Sequence, residues 1–379
     1  MATVILATLA AAALVLDPVV AQSSTSSCSV LKPSYSAPSV ASGYAAAPVA
    51  TGLTKPRGIV FDSTGRILVL QQNKGIVGLT LNDGGGTCVN VKDKKTVVEN
   101  ENASHKIWSQ YVFALFLNHG IVLSSDGKTL YASTSAEVFA WTYDPATGTA
   151  GTNKTIVKGM DNPDHITRTL LLSQKMPGIL LVSRGSAENI DEGTTDIKTT
   201  RSQIKAFDLN NIGDKVYDFS NDGTLVGWGL RNAVGVAEEP TTGAIYSVEN
   251  SADDLQRLGK DIHQNNPAEK LNFHGYLNGT KTAEQGGNFG YPDCYAAWDV
   301  NDLPENRNLT VGKQFAINIT EVINDDFCQK QRIAPRLSFQ AHTAPLDMKF
   351  SADGREAYVT FHGSWYFAPL NPSRQAHPS

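Results

Sequence analysis

Short apolar runs, each followed by a turn of small and polar residues and then by a second apolar run, recur along the chain. Within the runs apolar and polar residues alternate, and β-branched residues are frequent, which is typical of half-buried strands. Helical periodicity is scarce. Five such units begin at Arg57, His119, His165, Asn232 and Thr343. They predict an all-β protein built from strand hairpins.

The spacing of these hairpins predicts how they assemble. Successive units begin 62, 46, 67 and 111 residues apart, and hairpins at such intervals form propellers or solenoids. We favour a propeller of four-stranded sheets around a central channel, because no helical crossovers separate the strands. The last interval has room for one more unit, so we expect a six-bladed β-propeller. The stretch from Asn250 to Asp299, rich in Asn, Gly and Asp, is expected to be an extended loop system.

The N-terminus carries an apolar run from Val4 to Leu16, followed by the breaker Asp17–Pro18 and by Ala21. The run is too short for a membrane-spanning helix, so it predicts a signal peptide over residues 1–21. A buried N-terminal helix is the alternative, which the Ser- and Thr-rich residues that follow disfavour. We expect a Ser-, Ala- and Pro-rich segment over residues 22–50 and the propeller domain over residues 51–365.

Cysteines and sequons also indicate export. The four cysteines allow three pairings, of which we favour Cys28 with Cys88 and Cys294 with Cys328. Asn-x-Ser/Thr sequons begin at Asn102, Asn153, Asn278, Asn308 and Asn318. Together with a signal peptide they predict an extracellular, secreted glycoprotein. No second hydrophobic segment is long enough to serve as a membrane anchor.

Composition limits the partners. Of the 379 residues 41% are hydrophobic and 18% are charged, which is enough apolar material for a sizeable core. The formal net charge is -5, so the chain lacks the excess of basic residues that binds phosphate backbones. Neither a nucleic acid nor an anionic membrane surface is an expected partner.

Polar groups mark the start of each hairpin, where a propeller brings its strands to one mouth. They belong to Arg57, His119, His165, Arg231 with Asn232, and His342 with Thr343. Cationic, imidazole and amide groups at one mouth suit a ligand with several carboxylates, because Arg binds carboxylates bidentately. They also suit a reaction that abstracts a proton. For each residue taken singly, a structural hydrogen bond between blades is the alternative.

Six segments resemble, in the same order, those of the soluble quinoprotein glucose dehydrogenase family. They are Lys158–Ser186 with its Asp-His pair, Gly229–Asn232, Val248–Asp254, Asp261–Phe273, Gly286–Pro292 and Phe361–Trp365. The resemblance is nearest to the fungal pyranose dehydrogenases and the bacterial sorbosone dehydrogenases. It implies an oxidoreductase that oxidises a pyranose or keto-aldose hydroxyl with pyrroloquinoline quinone (PQQ) and Ca²⁺.

The resemblance assigns roles to residues at the mouth. His165 would be the general base, because imidazole titrates near neutral pH. Arg231 would polarise the quinone carbonyl and stabilise the charge that develops there. Asn232 would hydrogen-bond the quinone beside it. Because the family's base aligns with His165, we expect His119 to have a structural role.

Further residues are implied as ligands of the cofactor and of the metal ion. PQQ carries three carboxylates, for which Arg57 is the first candidate partner. His362 and Trp365 would contact the edge and the ring face of the cofactor. Calcium would bind oxygen atoms of the loop Asn250, Ser251, Ala252 and Asp253, with carbonyl ligands from Ser251 and Ala252 as suitable as side chains.

After Trp365 the sequence departs from the family, whose motif continues with Asn-Arg and then with more strands. Here Tyr366–Pro369 follows, and residues 366–379 form an atypical tail with Pro369, Pro372 and Pro378. Proline cannot supply ladder hydrogen bonds inside a sheet. We therefore expect the last blade to be incomplete, as in a C-terminally truncated family member.

The expected partners are a sugar substrate and an external electron acceptor, either a cytochrome domain protein or a quinone. Two other functions stay open from the sequence. One is a calcium-dependent lactonase-type propeller hydrolase, which would need no organic cofactor. The other is a non-catalytic propeller that binds partners through its loops.

Overall fold

The structure is a computed structural model that describes residues 31–32, 35–36, 38–100 and 116–364 and the backbone of residues 377–378. The predicted signal peptide, Cys28, Asn102 and Trp365 lie outside these residues. The chain divides into two compact units, Met1–Ala50 with Asn82–Asn90, and Thr51–Leu81 with Val91–Ser379. In the first unit, residues 38–50 form no helix or strand. All site residues discussed below belong to the second unit.

Strands dominate the described residues, which agrees with the predicted all-β class. The first twelve are β1 (Pro56–Phe61), β2 (Ile67–Gln71), β3 (Gly75–Asp83), β4 (Val89–Glu99), β5 (Ile121–Leu123), β6 (Thr129–Ser133), β7 (Val138–Asp144), β8 (Thr149–Lys158), β9 (Leu170–Leu172), β10 (Ile179–Arg184), β11 (Gln203–Asp208) and β12 (Tyr217–Asp218). The others are β13 (Thr224–Trp228), β14 (Asn232–Glu238), β15 (Ala244–Asn250), β16 (Gln256–Arg257), β17 (Lys260–Asp261), β18 (Glu269–Tyr276), β19 (Cys294–Ala296), β20 (Gln314–Ala316), β21 (Leu337–Phe339), β22 (Pro345–Phe350), β23 (Ala357–Phe361) and β24 (His377–Pro378). The helix α1 spans Asp325–Gln331, and 3-10 helices span Glu192–Thr195, Ile197–Thr199 and Val300–Asp302.

Four sheets in the described part of the chain contain four or five strands. Their strand orders are β1-β2-β3-β4, β5-β6-β7-β8-β12, β9-β10-β11-β13 and β14-β15-β18-β21-β24. Neighbouring strands in the last three of these sheets are antiparallel, except that β12 pairs parallel with β8, and β1–β2 and β2–β3 are antiparallel in the first. The first strand of each sheet contacts the first strand of the next, β1 with β5, β5 with β9 and β9 with β14. Successive sheets therefore follow one another as the blades of a propeller do.

All five predicted hairpins are present, as β1–β2, β5–β6, β9–β10, β14–β15 and β22–β23. The fifth is a two-stranded sheet of its own that contacts β14. The prediction of six blades is not confirmed, because the described residues form four sheets with four or more strands.

The interval after the fourth hairpin explains the difference in blade number. It was predicted to hold one more blade and an extended loop system, but β18 lies inside it and, with β21, extends the fourth sheet. Around these strands lie two short ribbons, β16–β17 and β19–β20. The extra chain length therefore belongs largely to the fourth sheet and its connections.

The turn of the first hairpin shows why Asp and Gly separate the strands. The Asp62 carboxylate accepts hydrogen bonds from the backbone N–H of Thr64 at 2.9 Å and of Arg66 at 3.0 Å. Gly65 has a φ of 81°, a conformation that costs glycine little. Tyr143 of β7 donates its hydroxyl to Asp62 Oδ2 at 2.8 Å, which joins this turn to the second sheet.

Apolar side chains fill the space between neighbouring sheets. Members of the cluster between the first and second sheets include Leu68, Leu70, Leu130 and Trp141. Between the second and third sheets they include Val138, Leu180 and Phe207, and between the third and fourth sheets Leu181, Val236 and Ile245. Full burial of each large apolar side chain contributes roughly 1.5–3 kcal/mol. This packing fixes the strand ends that carry the site.

Several predicted surface and covalent features fall in the described residues. Cys294 of β19 and Cys328 of α1 form the predicted disulfide. Cys28 is outside the described residues, so the pairing of Cys28 with Cys88 stays a prediction. The sequon residues Asn153, Asn278, Asn308 and Asn318 are all exposed. Among the described helices, none is long and apolar enough to cross a membrane.

Candidate active site

One edge of the third and fourth sheets and of the fifth hairpin gathers the polar residues singled out in the sequence. His165 precedes β9, Arg231 precedes β14, Asn250 ends β15, and His342 precedes β22. In a hairpin of antiparallel strands, the start of the first strand and the end of the second lie at the same edge. The fold thus brings together residues that are far apart in the sequence.

His165 is half-buried, and its Nδ1 atom is held by Ser186. Nδ1 lies 2.8 Å from Ser186 Oγ and 3.2 Å from the Ser186 carbonyl oxygen. The Ser186 hydroxyl donates its one proton to the Glu188 carbonyl at 2.7 Å, so both Ser186 oxygens accept from the imidazole. Nδ1 therefore carries the proton, and Nε2, which has no partner among the described residues, carries the lone pair.

The protonation of His165 differs from the expectation of a group that titrates near neutral pH. Burial and the positive charge of Arg231 lower the pKa of His165 to about 4. Both effects disfavour the charged imidazolium. The imidazole is therefore neutral at pH 7 and can accept a proton at Nε2.

Gly185 lies where His165, Arg231 and Asn232 come together. A Cβ atom at Gly185 would lie 2.7 Å from His165 Cβ, 2.8 Å from Asn232 Oδ1 and 3.2 Å from the Arg231 carbonyl oxygen. A larger residue would push these groups apart. The backbone N–H of Ser186 donates to the Arg231 carbonyl at 2.8 Å and fixes the same junction.

Arg231 is buried, and its guanidinium is only partly paired. Nε donates to the Asn189 carbonyl at 3.0 Å and Nη2 to Asn189 Oδ1 at 2.7 Å. Nη2 also lies 3.5 Å from Asp253 Oδ2. In the described part of the chain, Nη1 and the side-chain amide of Asn232 have no hydrogen-bond partner. With His165 Nε2, the site therefore offers one acceptor, one cationic donor and one amide to a ligand.

The loop Asn250–Asp253 is largely bound to the protein. Asn250 Nδ2 donates to the Pro345 carbonyl at 2.5 Å. Ser251 and Ala252 are buried, and the Ser251 N–H donates to Glu269 Oε2 at 2.6 Å. Nowhere in the described residues do three or more His, Cys, Asp or Glu side chains form a group that could hold a metal ion. Calcium binding by this loop stays a prediction.

A cluster of ionisable side chains includes Asp253 of this loop. His342 Nδ1 donates to Asp253 Oδ1 at 3.0 Å, and His342 Nε2 faces the carbonyl oxygen of His263. Burial lowers the pKa of His342, but its hydrogen bonds to Asp253 and His263 outweigh burial and raise it above the ordinary value. Both ring nitrogens face acceptors, so the imidazolium form is favoured. Burial raises the pKa of Glu269 to about 7.

The other predicted residues are dispersed. Arg57 is exposed on β1. Desolvation of the His119 imidazole, and secondarily the positive charge of Arg57, lower the pKa of His119 to about 4. His119 is partly buried, and its Nε2 lies 3.3 Å from the Val234 carbonyl oxygen, which suits the structural role expected of it. His362 is exposed. Its backbone N–H donates to the carbonyl of Ala344, two residues after His342, at 2.9 Å.

Sequence reasoning missed Ser186, Asn189 and Glu269. Ser186 ends the segment Lys158–Ser186, and Glu269 lies within the segment Asp261–Phe273, both of which carry the family resemblance. Those two signals could have drawn attention to them. Asn189 lies in a loop with no such signal, and its role is visible only from its contacts.

A family model described as TrAA12-like matches residues 38–371. Over 339 residues the chain is 49% identical to a pyrroloquinoline quinone-dependent sugar dehydrogenase of Hypocrea jecorina, covering 88% of this chain and 75% of that protein. It is 37% identical over 336 residues to a pyrroloquinoline quinone-dependent pyranose dehydrogenase of Coprinopsis cinerea. That match covers 87% of this chain and 43% of the relative.

Solved structures show the same similarity. The calcium structure of a Trichoderma reesei carbohydrate-active enzyme of family AA12 superposes with a TM-score of 0.82 at 49% identity, over 89% of this chain and 80% of that one. The holo form of the pyranose dehydrogenase PQQ domain of Coprinopsis cinerea superposes with a TM-score of 0.75 at 34% identity, over 88% and 80% of the two chains.

Proposed function

The chain belongs to the TrAA12-like family, and on this premise we propose that it is a PQQ-dependent sugar dehydrogenase. The relatives at 49% and 37% identity are named a PQQ-dependent sugar dehydrogenase and a PQQ-dependent pyranose dehydrogenase. The observation that carries the proposal is that His165, Arg231 and Asn232 meet at Gly185. Three of their polar groups, His165 Nε2, Arg231 Nη1 and the Asn232 amide, have no hydrogen-bond partner among the described residues. No comparable observation favours a hydrolase or a non-catalytic propeller.

The chemistry of this donor set fits PQQ, which is a quinone with three carboxylates. A buried guanidinium with one unpaired nitrogen and an adjacent amide suit the oxygen atom of a quinone carbonyl and an anion. PQQ, when bound, supplies an electrophilic quinone carbonyl that takes up hydride from the sugar carbon. Arg231 and Asn232 would hold that part of the cofactor, and Arg57 and His362 remain candidates for its carboxylates and edge.

His165 would take the proton of the sugar hydroxyl at Nε2. The hydrogen bond from Nδ1 to Ser186 Oγ, 2.8 Å long, keeps the lone pair on Nε2 and orients the ring. The lowered pKa of His165 keeps the base unprotonated at pH 7. Arg231 would polarise the quinone carbonyl and stabilise the negative charge that develops there.

Calcium is proposed as a second cofactor at the loop Asn250–Asp253. Burial raises the pKa of Asp253, but the hydrogen bond from His342 and the charge of Arg231 outweigh it and lower that pKa, so a carboxylate persists at the loop. The side chain of Asn250 is bonded to the Pro345 carbonyl, which favours the carbonyl oxygens of Ser251 and Ala252 as the other ligands. The calcium structure of the Trichoderma reesei relative supports this proposal.

The remaining proposals concern the location of the protein, its glycosylation, its electron acceptor and its substrate. We propose secretion, with N-glycans on the exposed Asn153, Asn278, Asn308 and Asn318. Electrons would pass to an external acceptor, a cytochrome domain protein or a quinone. The substrate would be a pyranose or a keto-aldose.

The test is reconstitution of the purified protein with PQQ and CaCl₂, followed by sugar-dependent dye reduction across a panel of pyranoses and keto-aldoses. Activity should require PQQ. It should fall by about 10²- to 10⁴-fold in His165→Ala, which removes the general base. Lys330→Ala, an exposed change on α1, is the control and should leave the rate unchanged. A protein that neither binds PQQ nor reduces the dye would contradict the proposal.

A further inference from the structure

Asn189 lies in the loop after β10 and holds the Arg231 side chain through two of its own oxygen atoms. Its carbonyl accepts from Arg231 Nε at 3.0 Å, and its Oδ1 accepts from Arg231 Nη2 at 2.7 Å. Two bonds donated by different nitrogens fix the plane of a guanidinium, whereas one would leave it free to rotate. The orientation of Nη1, the open donor, is therefore set by Asn189.

The same side chain also binds the loop Asn250–Asp253. The backbone N–H of Asp253 donates to Asn189 Oδ1 at 2.9 Å, and Asn189 Nδ2 donates to the Asp253 carbonyl at 2.8 Å. The amide of Asn189 is thus paired with the backbone of Asp253 in both directions. Asn189 Oδ1 accepts from Arg231 and from Asp253 at once, so one atom links the two.

Asn189 is itself fixed by Tyr291. The Tyr291 hydroxyl donates to the Asn189 carbonyl at 3.0 Å and accepts from the backbone N–H of Asp191 at 2.6 Å. Tyr291 is fully buried. The loop that carries Asn189 is therefore anchored in the core beneath the site.

We propose that Asn189 is a positioning residue that locks the Arg231 guanidinium and the loop Asn250–Asp253 into one relative placement. This inference rests on the proposed function, in which Arg231 contacts PQQ and the loop holds the calcium ion bound to it. A ligand that contacts both parts then binds to a preformed site, which lowers the cost of ordering them. Asn189 itself touches neither PQQ nor sugar in this proposal.

The contacts explain why an amide is required. Aspartate would keep the acceptor for Arg231 but would bring a carboxylate oxygen against the Asp253 carbonyl, where Nδ2 now donates at 2.8 Å. Alanine would remove both the acceptor and the donor. An amide offers one acceptor and two donors on a short side chain.

The test compares Asn189→Ala and Asn189→Asp with the wild type and with Asn266→Ala. Asn266 is a matched control because its amide also bridges backbone groups: Oδ1 accepts from the Trp298 N–H at 2.8 Å and Nδ2 donates to the Asp299 carbonyl at 2.9 Å. Calorimetric titration of the full-length apoprotein with PQQ in CaCl₂ measures affinity. Steady-state dye reduction gives kcat and the KM for sugar.

Loss of a residue that orients ligating groups typically costs about 10- to 100-fold in affinity or activity. We expect a loss of this size in PQQ affinity for Asn189→Ala, a lower kcat and an unchanged KM for sugar. Asn189→Asp, which is close to isosteric, should lose affinity while staying folded. Asn266→Ala should not reproduce this pattern, even where it lowers thermal stability. A PQQ affinity in Asn189→Ala equal to that of the wild type, or an equal loss in Asn266→Ala, would overturn it.

Hydrogen exchange of the apoprotein gives a second readout that does not depend on the cofactor. The amide of Asp253 donates to Asn189, so exchange over residues 250–253 should be faster in Asn189→Ala and unchanged in Asn266→Ala. If the wild type fails to bind PQQ, the proposed function is wrong, but the exchange rates still report on the loop. Unchanged exchange in Asn189→Ala would overturn the inference on its own.

Discussion

Replacing Ser186 by alanine tests whether the tautomer of His165 limits the reaction. The change removes the hydroxyl that accepts from Nδ1 at 2.8 Å and leaves the Ser186 carbonyl, at 3.2 Å, as the remaining acceptor. The imidazole then loses part of the preference that keeps its lone pair on Nε2. Its ring is also held less firmly, because only the carbonyl acceptor remains.

The size of the effect follows from the number of hydrogen bonds lost. One neutral hydrogen bond contributes about 0.5–1.5 kcal/mol net, which corresponds to roughly a two- to tenfold fall in rate if it acts in the transition state. Removing the imidazole with His165→Ala should cost far more, about 10²- to 10⁴-fold. Ser186→Ala should therefore retain most of the catalysis that His165→Ala loses.

The assay is sugar-dependent dye reduction at pH 7 with saturating PQQ and Ca²⁺. Ser351→Ala is a matched control, because Ser351 donates to Asp353 at 2.7 Å in an exposed turn. A rate in Ser186→Ala equal to that of the wild type would refute the role of Ser186 in fixing the tautomer. A rate as low as that of His165→Ala would show that the hydroxyl does more than accept from Nδ1.

Two further predictions concern stability. Burial is the main cause that lowers the pKa of His119 and His165 to about 4 and of His274 to about 3, from 6.5. Below pH 6.5 the unfolded chain therefore binds protons that the folded chain does not, and each of these groups lowers stability by up to about 1.4 kcal/mol per pH unit between pH 6.5 and 4. Glu269, whose pKa burial raises from 4.5 to about 7, acts in the opposite direction and offsets about one of the three histidines, so the net stability should fall between pH 7 and pH 5. Urea unfolding at pH 7 and pH 5 measures this, and equal stability at both would contradict it. Lys270→Met should lower the free energy of unfolding by about 3–5 kcal/mol in the same assay, because it leaves the buried Glu249 carboxylate without the ammonium group that lies 3.0 Å from it. A loss below about 1 kcal/mol, the size expected for an exposed ion pair, would contradict this reasoning.

The hairpins could be predicted from the sequence because their signals are local. Alternation within each strand and the Asp or Gly of each turn act over a few residues. The number of blades depends instead on which sheet the later strands join. β18 and β21 belong to the fourth sheet although loops and ribbons separate them from β15 in the sequence. No local sequence pattern predicts that β18 pairs with β15 or that β21 pairs with β18.

The site could be predicted in part, through the residues that carry the family resemblance. The sequence indicated His165, Arg231 and Asn232, and the structure brings all three to Gly185. It could not indicate the lowered pKa of His165, which follows from burial and from the charge of Arg231. Partners such as Asn189 act through long-range contacts, which only the folded chain displays.

The dispersal of the site over separate sheets has a consequence for how the protein folds. His165, Arg231 and His342 are distant in the chain and meet through non-local pairing, and such contacts form slowly because long loops must close first. Secondary structure should therefore recover during refolding before enzymatic turnover does. The rate at which turnover recovers would then report on the assembly of the site, including the contact between the fifth hairpin and β14, rather than on the formation of single strands.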